Sequence, residues 1–259
     1  MELEINAKLA SLAAGTGPAS ERAVALAEMF GIGLDERHEV TLYEGFRVRV
    51  RRGDVVYITG PSGCGKTVLL REMERQIRKA SDLRLQTSGA AEEKEETAKE
   101  VTTASPSNAG GFISKNKDEN PEGPVAALES VDLSGPVAAV ERFGADLDEV
   151  LRLASVAGLS DAFFLLRPPS QLSDGQRYRY RLAALLAGGA RTIVIDEFCS
   201  TLDRRTAKAV AYRLRKYADR TGATFLVATA HDDLIEDLAP DVLIRKRSGK
   251  QVEISYAGA

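Results

Sequence analysis

The sequence of 259 residues has few cysteines and no long apolar run. Its two cysteines, Cys64 and Cys199, are too few for a disulfide framework or a cysteine-rich metal site, so we expect two free thiols. No run of about eighteen apolar residues occurs, and the N-terminus lacks the basic start and apolar stretch of a signal peptide. These absences predict a cytoplasmic protein with no direct membrane insertion, for which any membrane role would need a separate subunit.

An excess of basic residues is also absent. Lys and Arg number 35 against 38 Asp and Glu, which gives a formal net charge of -3. This balance argues against a generally basic nucleic-acid-binding protein, although it leaves a local basic patch open. With 44% hydrophobic residues, the chain is long enough to form one large α/β domain or two small ones.

Composition and periodicity divide the chain into four parts. Residues 1–30 are alanine-rich with helical spacing in two pieces, which predicts a helical N-terminal extension over residues 1–34. Residues 87–124 hold eight acidic against four basic residues and little that is apolar, which predicts a disordered acidic insertion. Residues 125–180 predict a small helical lobe, and the core consists of 35–86 and 181–259.

Strand and helix patterns alternate within the core, which predicts a mostly parallel sheet. Alternating apolar positions at 40–43 and 46–50 predict antiparallel edge strands, and the C-terminus predicts a hairpin. The lobe is expected to contain one strand and two helices. The remaining predicted elements are buried strands at 54–59, Thr192–Ile195 and 223–228, core helices at 173–187 and 204–220, hairpin strands at Val242–Lys246 and 251–256, a lobe strand at 125–133, and lobe helices at 146–157 and 161–166.

A glycine-rich turn dominates the functional interpretation. Residues 60–67 read Gly-Pro-Ser-Gly-Cys-Gly-Lys-Thr and fit the phosphate-loop pattern G-x-x-x-x-G-K-[ST]. In this pattern backbone N–H groups surround a phosphate, Lys66 reaches toward the β/γ oxygens, and the Thr67 hydroxyl is placed to ligate Mg²⁺. An apolar strand pattern precedes the loop and a helical pattern follows it, as the motif requires. The predicted phosphate-binding residues are Gly60, Ser62, Gly63, Cys64, Gly65, Lys66 and Thr67.

Two adjacent carboxylates follow the apolar strand Thr192–Ile195. Asp196 and Glu197 then lie at the carboxyl end of a core strand, which is also the end at which the phosphate loop lies. One carboxylate can hold Mg²⁺, and its neighbour can orient or deprotonate an attacking water. His231, one of only two histidines, follows the neighbouring core strand. These three side chains are the candidates for the chemistry.

A second anion-binding element is predicted at residues 172–176, which read Leu-Ser-Asp-Gly-Gln. Ser173 is placed to begin a helix, and Gly175 permits close approach to the helix N-terminus, where exposed N–H groups bind anions. Because this element lies far along the chain from the phosphate loop, it suggests an opposing phosphate contact.

Taken in order, these motifs resemble the ABC-type ATPases. The phosphate loop, the signature 172–176, the Walker B segment 192–197, the D-loop 200–203 and the switch residue His231 occur in family order, and the resemblance covers roughly residues 35–259. It implies an α/β P-loop NTPase fold with a mostly parallel core sheet, antiparallel edge strands and a small helical lobe. It also implies an ATP-dependent homodimer in which two protomers, head to tail, enclose two molecules of MgATP.

The same resemblance implies a role for each motif residue. It makes Glu197 the catalytic carboxylate, His231 the sensor of the γ-phosphate, and Asp196, with Thr67, the Mg²⁺ ligands. The residues that it places across the dimer, toward the partner protomer, are Ser173, Gly175, Gln176 and Asp203.

Segments 173–183 and 196–207 look like a soluble subgroup whose ATPase is typically linked to a GNAT-like acetyltransferase domain. No such domain is recognisable in the first 34 residues, so an acetyltransferase would have to be another chain. Two family features are missing. No glutamine follows the strand after the phosphate-loop helix, where Asp132 is the candidate substitute. No aromatic residue lies near Arg37, whose guanidinium plane can stack on adenine instead.

Three functions stay open. The favoured one is a soluble ATPase that hydrolyses MgATP to drive a conformational change in an unidentified protein partner, with an acetyltransferase as one candidate. A DNA- or RNA-associated ATPase of repair type is the alternative, based on the interleaved Arg and Tyr residues of 177–181 and on the basic helix 204–220. The nucleotide-binding subunit of a membrane transporter is less favoured, because the glutamine is missing and the lobe is small.

Overall fold

The computed structural model describes residues 1–12, 20–31, 33, 37–92, 125–247 and 251–258. The elements in these ranges are β1 (Glu2–Leu12), α1 (Glu21–Phe30), β2 (Arg37–Arg49), β3 (Val55–Thr59), α2 (Lys66–Glu92), β4 (Val125–Ala127), α3 (Leu147–Val156), α4 (Ala162–Leu165), α5 (Asp174–Ala187), β5 (Thr192–Ile195), α6 (Arg204–Thr221), β6 (Thr224–Thr229), α7 (Ile235–Leu238), β7 (Val242–Lys246) and β8 (Val252–Tyr256). None of the helices in these ranges has the length and hydropathy needed to cross a bilayer.

The main sheet has six strands in the order β4-β5-β6-β3-β7-β8. Its first five strands are parallel, and β8 runs antiparallel to β7 at the edge. Every residue of β3, β5 and β6 is buried, which explains why these strands are continuous apolar runs and not alternating patterns. The predicted mostly parallel sheet with antiparallel edge strands is confirmed. It brings the ends of β3, β5 and β6 together at one edge.

The prediction of a helix in the first part of the N-terminal extension is wrong, because these residues form strand β1. This strand pairs antiparallel with β2, from Glu2 opposite Arg49 to Leu12 opposite Arg37. Leu3 and Ile5 are buried while Glu2 is exposed, so the burial pattern has the period of a strand. The alanines nearby raise local helix propensity, but pairing with β2 overrides it. The second predicted piece is confirmed as α1.

Strand β2 is continuous where two separate edge strands were predicted. Gly45, in the gap between them, has φ +59° and donates its N–H to the Asn6 side chain at 2.6 Å. The pairing shifts register on either side of Ala7, so the extra residues are absorbed as a bulge in the pair. The strand therefore continues past the glycine and forms a two-stranded sheet with β1.

Helix α2 extends the ordered core beyond the predicted boundary at residue 87. It continues to Glu92, because adding a residue to an existing helix gains a hydrogen bond without the cost of nucleation. The first part of the predicted disordered insertion is thus helical. The rest of that prediction, residues 93–124, lies outside the described residues.

The lobe differs from its predicted boundaries at both ends. The strand at its start is limited to Val125–Ala127 and is followed by a 3₁₀ turn. At its other end α5 is one helix, Asp174–Ala187, so the expected division at residue 180 falls inside it. Tyr180 packs edge-on against Phe143 with ring centroids 5.4 Å apart, which joins α5 to the lobe. The other predicted helices and strands are present with ends shifted by a few residues.

Candidate active site

The phosphate loop connects buried strand β3 to helix α2. Lys66, the first residue of α2, donates from Nζ to the carbonyl oxygens of Gly60 and Pro61, both at 2.8 Å. The lysine therefore arches back over its own loop from the N-terminal end of α2. A cation next to a helix N-terminus is well suited to bind an anionic phosphate chain.

Glycine is required at position 60 for steric reasons, and Gly65 has φ +99°, a left-handed conformation that favours glycine. Gly60 has φ +148°, and a Cβ at this position would lie 2.1 Å from the carbonyl oxygen of Lys246. A Cβ at Gly65 would lie 3.1 Å from the side chain of Leu42. The Tyr43 hydroxyl also donates to the Gly65 carbonyl at 3.1 Å. The loop is therefore packed directly between β7 and β2, which fixes its shape.

A cleft of about 440 Å³ lies beside the phosphate loop and unites three of the predicted motifs. It contains the loop lysine and threonine, both carboxylates of the Walker B segment and the switch histidine. Its lining residues are Leu42, Ser62, Gly63, Gly65, Lys66, Thr67, Val68, Asp196, Glu197, Ser200, Thr229, Ala230 and His231. The adjacent C-terminal ends of β3, β5 and β6 account for this convergence.

The two carboxylates differ in environment and backbone conformation. Asp196 is half-buried and accepts the Glu197 N–H on Oδ1 at 2.9 Å, whereas Glu197 is exposed to the cleft. Glu197 has φ +50°, a left-handed conformation that costs a non-glycine residue about 1–3 kcal/mol. Such strain persists only where surrounding bonds impose it. It is a feature of sites that aim one side chain at a reacting group.

Bonds from two directions hold the turn that follows Glu197. The Phe198 N–H donates to the Ala228 carbonyl of β6 at 2.7 Å, and the Cys199 N–H donates to the Tyr178 hydroxyl at 2.9 Å. Both cysteines are free thiols, as predicted. Burial raises the pKa of the Cys199 thiol to about 12, so this group stays protonated and is not a nucleophile.

His231 reaches the cleft because the chain after β6 is anchored. The Tyr57 hydroxyl donates to the His231 carbonyl, and the His231 N–H donates to Thr229 Oγ1 at 3.3 Å. Thr59 binds the Asp232 carboxylate through its hydroxyl. These bonds fix the main chain and leave the imidazole exposed at the edge of the cleft.

The oxygen-bearing side chains of the cleft fit a magnesium ion. Thr67 and Asp196 face the same space as the phosphate loop, and both offer hard oxygen donors. Within the described ranges no group of three or more His, Cys, Asp or Glu side chains is arranged to hold a metal alone. Mg²⁺ needs few protein ligands, since water and substrate phosphates complete its octahedron. Bound there with the nucleotide, it would neutralise charge on the β- and γ-phosphates.

The predicted signature residues and Asp203 of the D-loop do not line this cleft, although Ser200 at the start of the D-loop does. Gln176 Oε1 accepts the Ser173 N–H at 2.9 Å, which completes the start of α5, and Ser173 is exposed. Asp203 accepts the Thr206 N–H at 3.0 Å and so caps α6. Its hydrogen bonds to Thr206 hold the pKa of the Asp203 carboxyl below its usual range. A Cβ at Gly175 would lie 3.4 Å from the Thr201 carbonyl, so α5 packs closely on the D-loop.

Asp132 does not line the cleft, as a substitute for the missing glutamine would need to do. Its carboxylate accepts the N–H and the hydroxyl of Ser134, at 2.9 and 2.8 Å, and pairs with Arg142 at 3.2 Å. These bonds, those of Ser134 first, lower the pKa of Asp132. The expectation is therefore corrected, because a local turn engages this carboxylate away from the cleft. Ala127, the last residue of β4, lies opposite Val194 of β5, and Glu129 is the acidic residue in the 3₁₀ turn that follows β4.

Two further sequence inferences meet different outcomes. Arg37 belongs to β2, but its side chain lies outside the described residues, so adenine stacking stays a prediction. Leu42, which lines the cleft, was missed by sequence reasoning. Strand alternation places Leu42 and Tyr43 on opposite faces of β2 but does not say which face meets the phosphate loop.

Comparison with known proteins identifies a family and several relatives that this chain resembles. The family model described as ABC transporter matches residues 43–200. The chain is 28% identical over 221 residues to the lipoprotein-releasing system ATP-binding protein LolD of Paramagnetospirillum magneticum, across 84% of this chain and 92% of LolD. It is 28% identical to the methionine import ATP-binding protein MetN of Streptomyces griseus, across 83% of this chain but only 59% of MetN.

Solved structures share the fold. A dimeric bacterial ABC transporter cassette superposes with a TM-score of 0.57 at 19% identity, over 86% of this chain and 93% of the cassette. A post-hydrolysis state of an ATP-binding cassette with ADP and Pi gives a TM-score of 0.57 at 18% identity, with the same coverage of each chain.

Proposed function

Because the chain belongs to the ABC transporter family and is an ATP-hydrolysing cassette, we propose that two copies close head to tail around MgATP and thereby move a partner protein. One observation carries this proposal. The phosphate loop, both carboxylates and His231 line one cleft, whereas the exposed Ser173 begins helix α5 outside it. A second protomer would bring that helix to the open side of the cleft.

Five side chains of the cleft have a defined part in the proposed reaction. Lys66 and the N–H groups of the first turn of α2 bind the β- and γ-phosphates. Glu197 orients the attacking water and accepts its proton, and His231 contacts the γ-phosphate. Asp196 and Thr67 would hold Mg²⁺, which would supply positive charge to neutralise the phosphates. The left-handed backbone of Glu197 aims its carboxylate at the water.

We expect Ser173→Arg to block dimerisation and hydrolysis while leaving ATP binding to the monomer nearly unchanged. The arginine places a bulky cation at the N-terminus of α5, which already carries a positive partial charge. Mixing this variant with Lys66→Ala should restore limited activity, because a mixed dimer has one composite site with both defects and one with neither. The measurements are ATP titration, light scattering and phosphate release.

Ser160→Arg serves as the matched control, since Ser160 is an exposed serine of the same lobe that begins no helix. It should hydrolyse ATP at the wild-type rate. If Ser173→Arg alone is as active as wild type, or if proven heterodimers show no recovery, then the signature does not act across a dimer.

The partner is best sought in a membrane. The names of the relatives concern release and import, which favours a transport subunit over the soluble partner expected from the sequence. Exposed apolar side chains on α3 and α4, including Leu151 and Phe163, give the lobe a surface suited to a protein contact. An acetyltransferase or other soluble protein remains the alternative partner.

The nucleic-acid alternative loses its main support in the structure. Tyr178 and Tyr180 are buried, so they offer no stacking surface for bases. Arg177 donates to Asp174 and to the Ser170 carbonyl, at 3.3 Å each, and Arg179 binds main-chain carbonyls. The side chains of residues 177–180 therefore make contacts within the protein, which explains their pattern without nucleic acid.

The partner class is tested by capture with tagged Glu197→Gln and MgATP. Detergent-solubilised membranes and the soluble fraction are probed separately, with Lys66→Ala as the control that should not close. Nucleotide-dependent recovery of a chain with membrane-spanning segments is the expected result. Recovery from the soluble fraction alone would instead support the soluble alternative.

A further inference from the structure

The turn that carries Glu197 contains two non-glycine residues in the left-handed region. Glu197 has φ +50° and Cys199 has φ +58°, and Ala239 is the one other such residue in the described ranges. The Glu197 carbonyl accepts the Ser200 N–H at 3.0 Å, which closes the turn on itself. Because left-handed backbone is unfavourable at both residues, contacts from outside the turn must maintain it.

Tyr178 supplies such a contact from the signature helix. It lies in α5, which begins just after Ser173, and its side chain is buried. Its hydroxyl accepts the Cys199 N–H at 2.9 Å and lies 3.8 Å from the Cys199 sulfur. A buried amide needs a partner, and this hydroxyl satisfies the amide of a strained residue two positions after Glu197. The first turn of α5 also packs on Thr201, as the geometry at Gly175 shows.

We propose that Tyr178 is a positioning residue for Glu197, linking the start of the signature helix to the carboxylate that activates water. The inference rests on the proposed function of the cleft. The hydroxyl selects the left-handed state of Cys199, and that state sets the direction of the Glu197 side chain. A small displacement of a catalytic group is enough to lower turnover strongly. Any movement of α5 against a partner protomer would reach Glu197 through this bond.

Tyr178→Phe removes the hydroxyl and keeps the ring. We expect kcat for ATP hydrolysis to fall roughly 10- to 100-fold, while the Kd for ATP changes less than about twofold, because Lys66 and its loop are untouched. Both quantities are measured on the same preparation, together with its thermal unfolding midpoint.

Tyr180→Phe is the matched control on the same helix. The Tyr180 side chain is fully buried, and its hydroxyl has no hydrogen-bond partner among the described residues. Removing that hydroxyl changes buried polarity without breaking a bond, so turnover should stay at the wild-type level. Equal losses of kcat in both variants would overturn the proposal.

A second test asks whether Tyr178 acts through Glu197. In a Glu197→Gln background, Tyr178→Phe should cause no further loss of the residual single-turnover rate, since the carboxylate that it positions is already gone. Multiplicative losses would overturn the proposal, as would wild-type turnover of Tyr178→Phe or a parallel loss of ATP binding and fold. Failure of the proposed role of Glu197 is distinct, because Glu197→Gln itself would then keep full turnover.

Discussion

Lys66→Ala is expected to abolish ATP binding, with a Kd raised at least about a hundredfold, since hydrogen bonds to charged groups are among the strongest. The reason is the charge of the cleft. Among the described residues that line it, Lys66 is the one lysine or arginine, whereas Asp196 and Glu197 bring two negative charges. Without the lysine, the phosphate chain would meet carboxylates with no compensating side-chain cation.

Isothermal titration with ATP and Mg²⁺ measures this effect. Lys79→Ala is the matched control, because Lys79 is an exposed lysine of the same helix α2 that does not line the cleft. The control should bind ATP as wild type does. Micromolar affinity in Lys66→Ala would mean that the nucleotide binds elsewhere.

Glu197→Gln is expected to bind ATP normally and to hydrolyse it about 10²- to 10⁴-fold more slowly. Glutamine keeps the shape and the hydrogen-bonding reach of the side chain but cannot accept the proton of the attacking water. The variant should therefore accumulate as a dimer only when ATP is present. Phosphate release gives the rate, and size exclusion with light scattering gives the dimer.

Glu141→Gln provides the control, as Glu141 is an exposed glutamate of the lobe outside the cleft. It should hydrolyse ATP at the wild-type rate. Full turnover by Glu197→Gln would show that another group is the base. Glu129 would then be tested first, because it is an acidic residue in the turn that follows β4, the strand paired with β5.

The local chemistry of the chain determined the elements that carry the motifs. The glycine pattern of residues 60–67 and the apolar strand before it specify a strand, a loop and a helix without reference to the rest of the protein. Asp203 caps α6 and Gly222 ends it in the left-handed conformation, both through contacts within a few residues. Continuous apolar runs identified β3, β5 and β6 as central strands. The cleft was predictable because parallel strands end at one edge.

Long-range pairing and packing decided the rest. Residues 2–12 are a strand because β2 supplies their hydrogen bonds, and alanine content alone favours a helix there. Asp132 is held by Ser134 and Arg142, which removes it from the cleft, while the hydroxyl of Tyr178 reaches Cys199 across 21 residues. Such contacts depend on where the fold brings distant side chains. Sequence spacing describes only neighbours along the chain and therefore does not predict these long-range contacts.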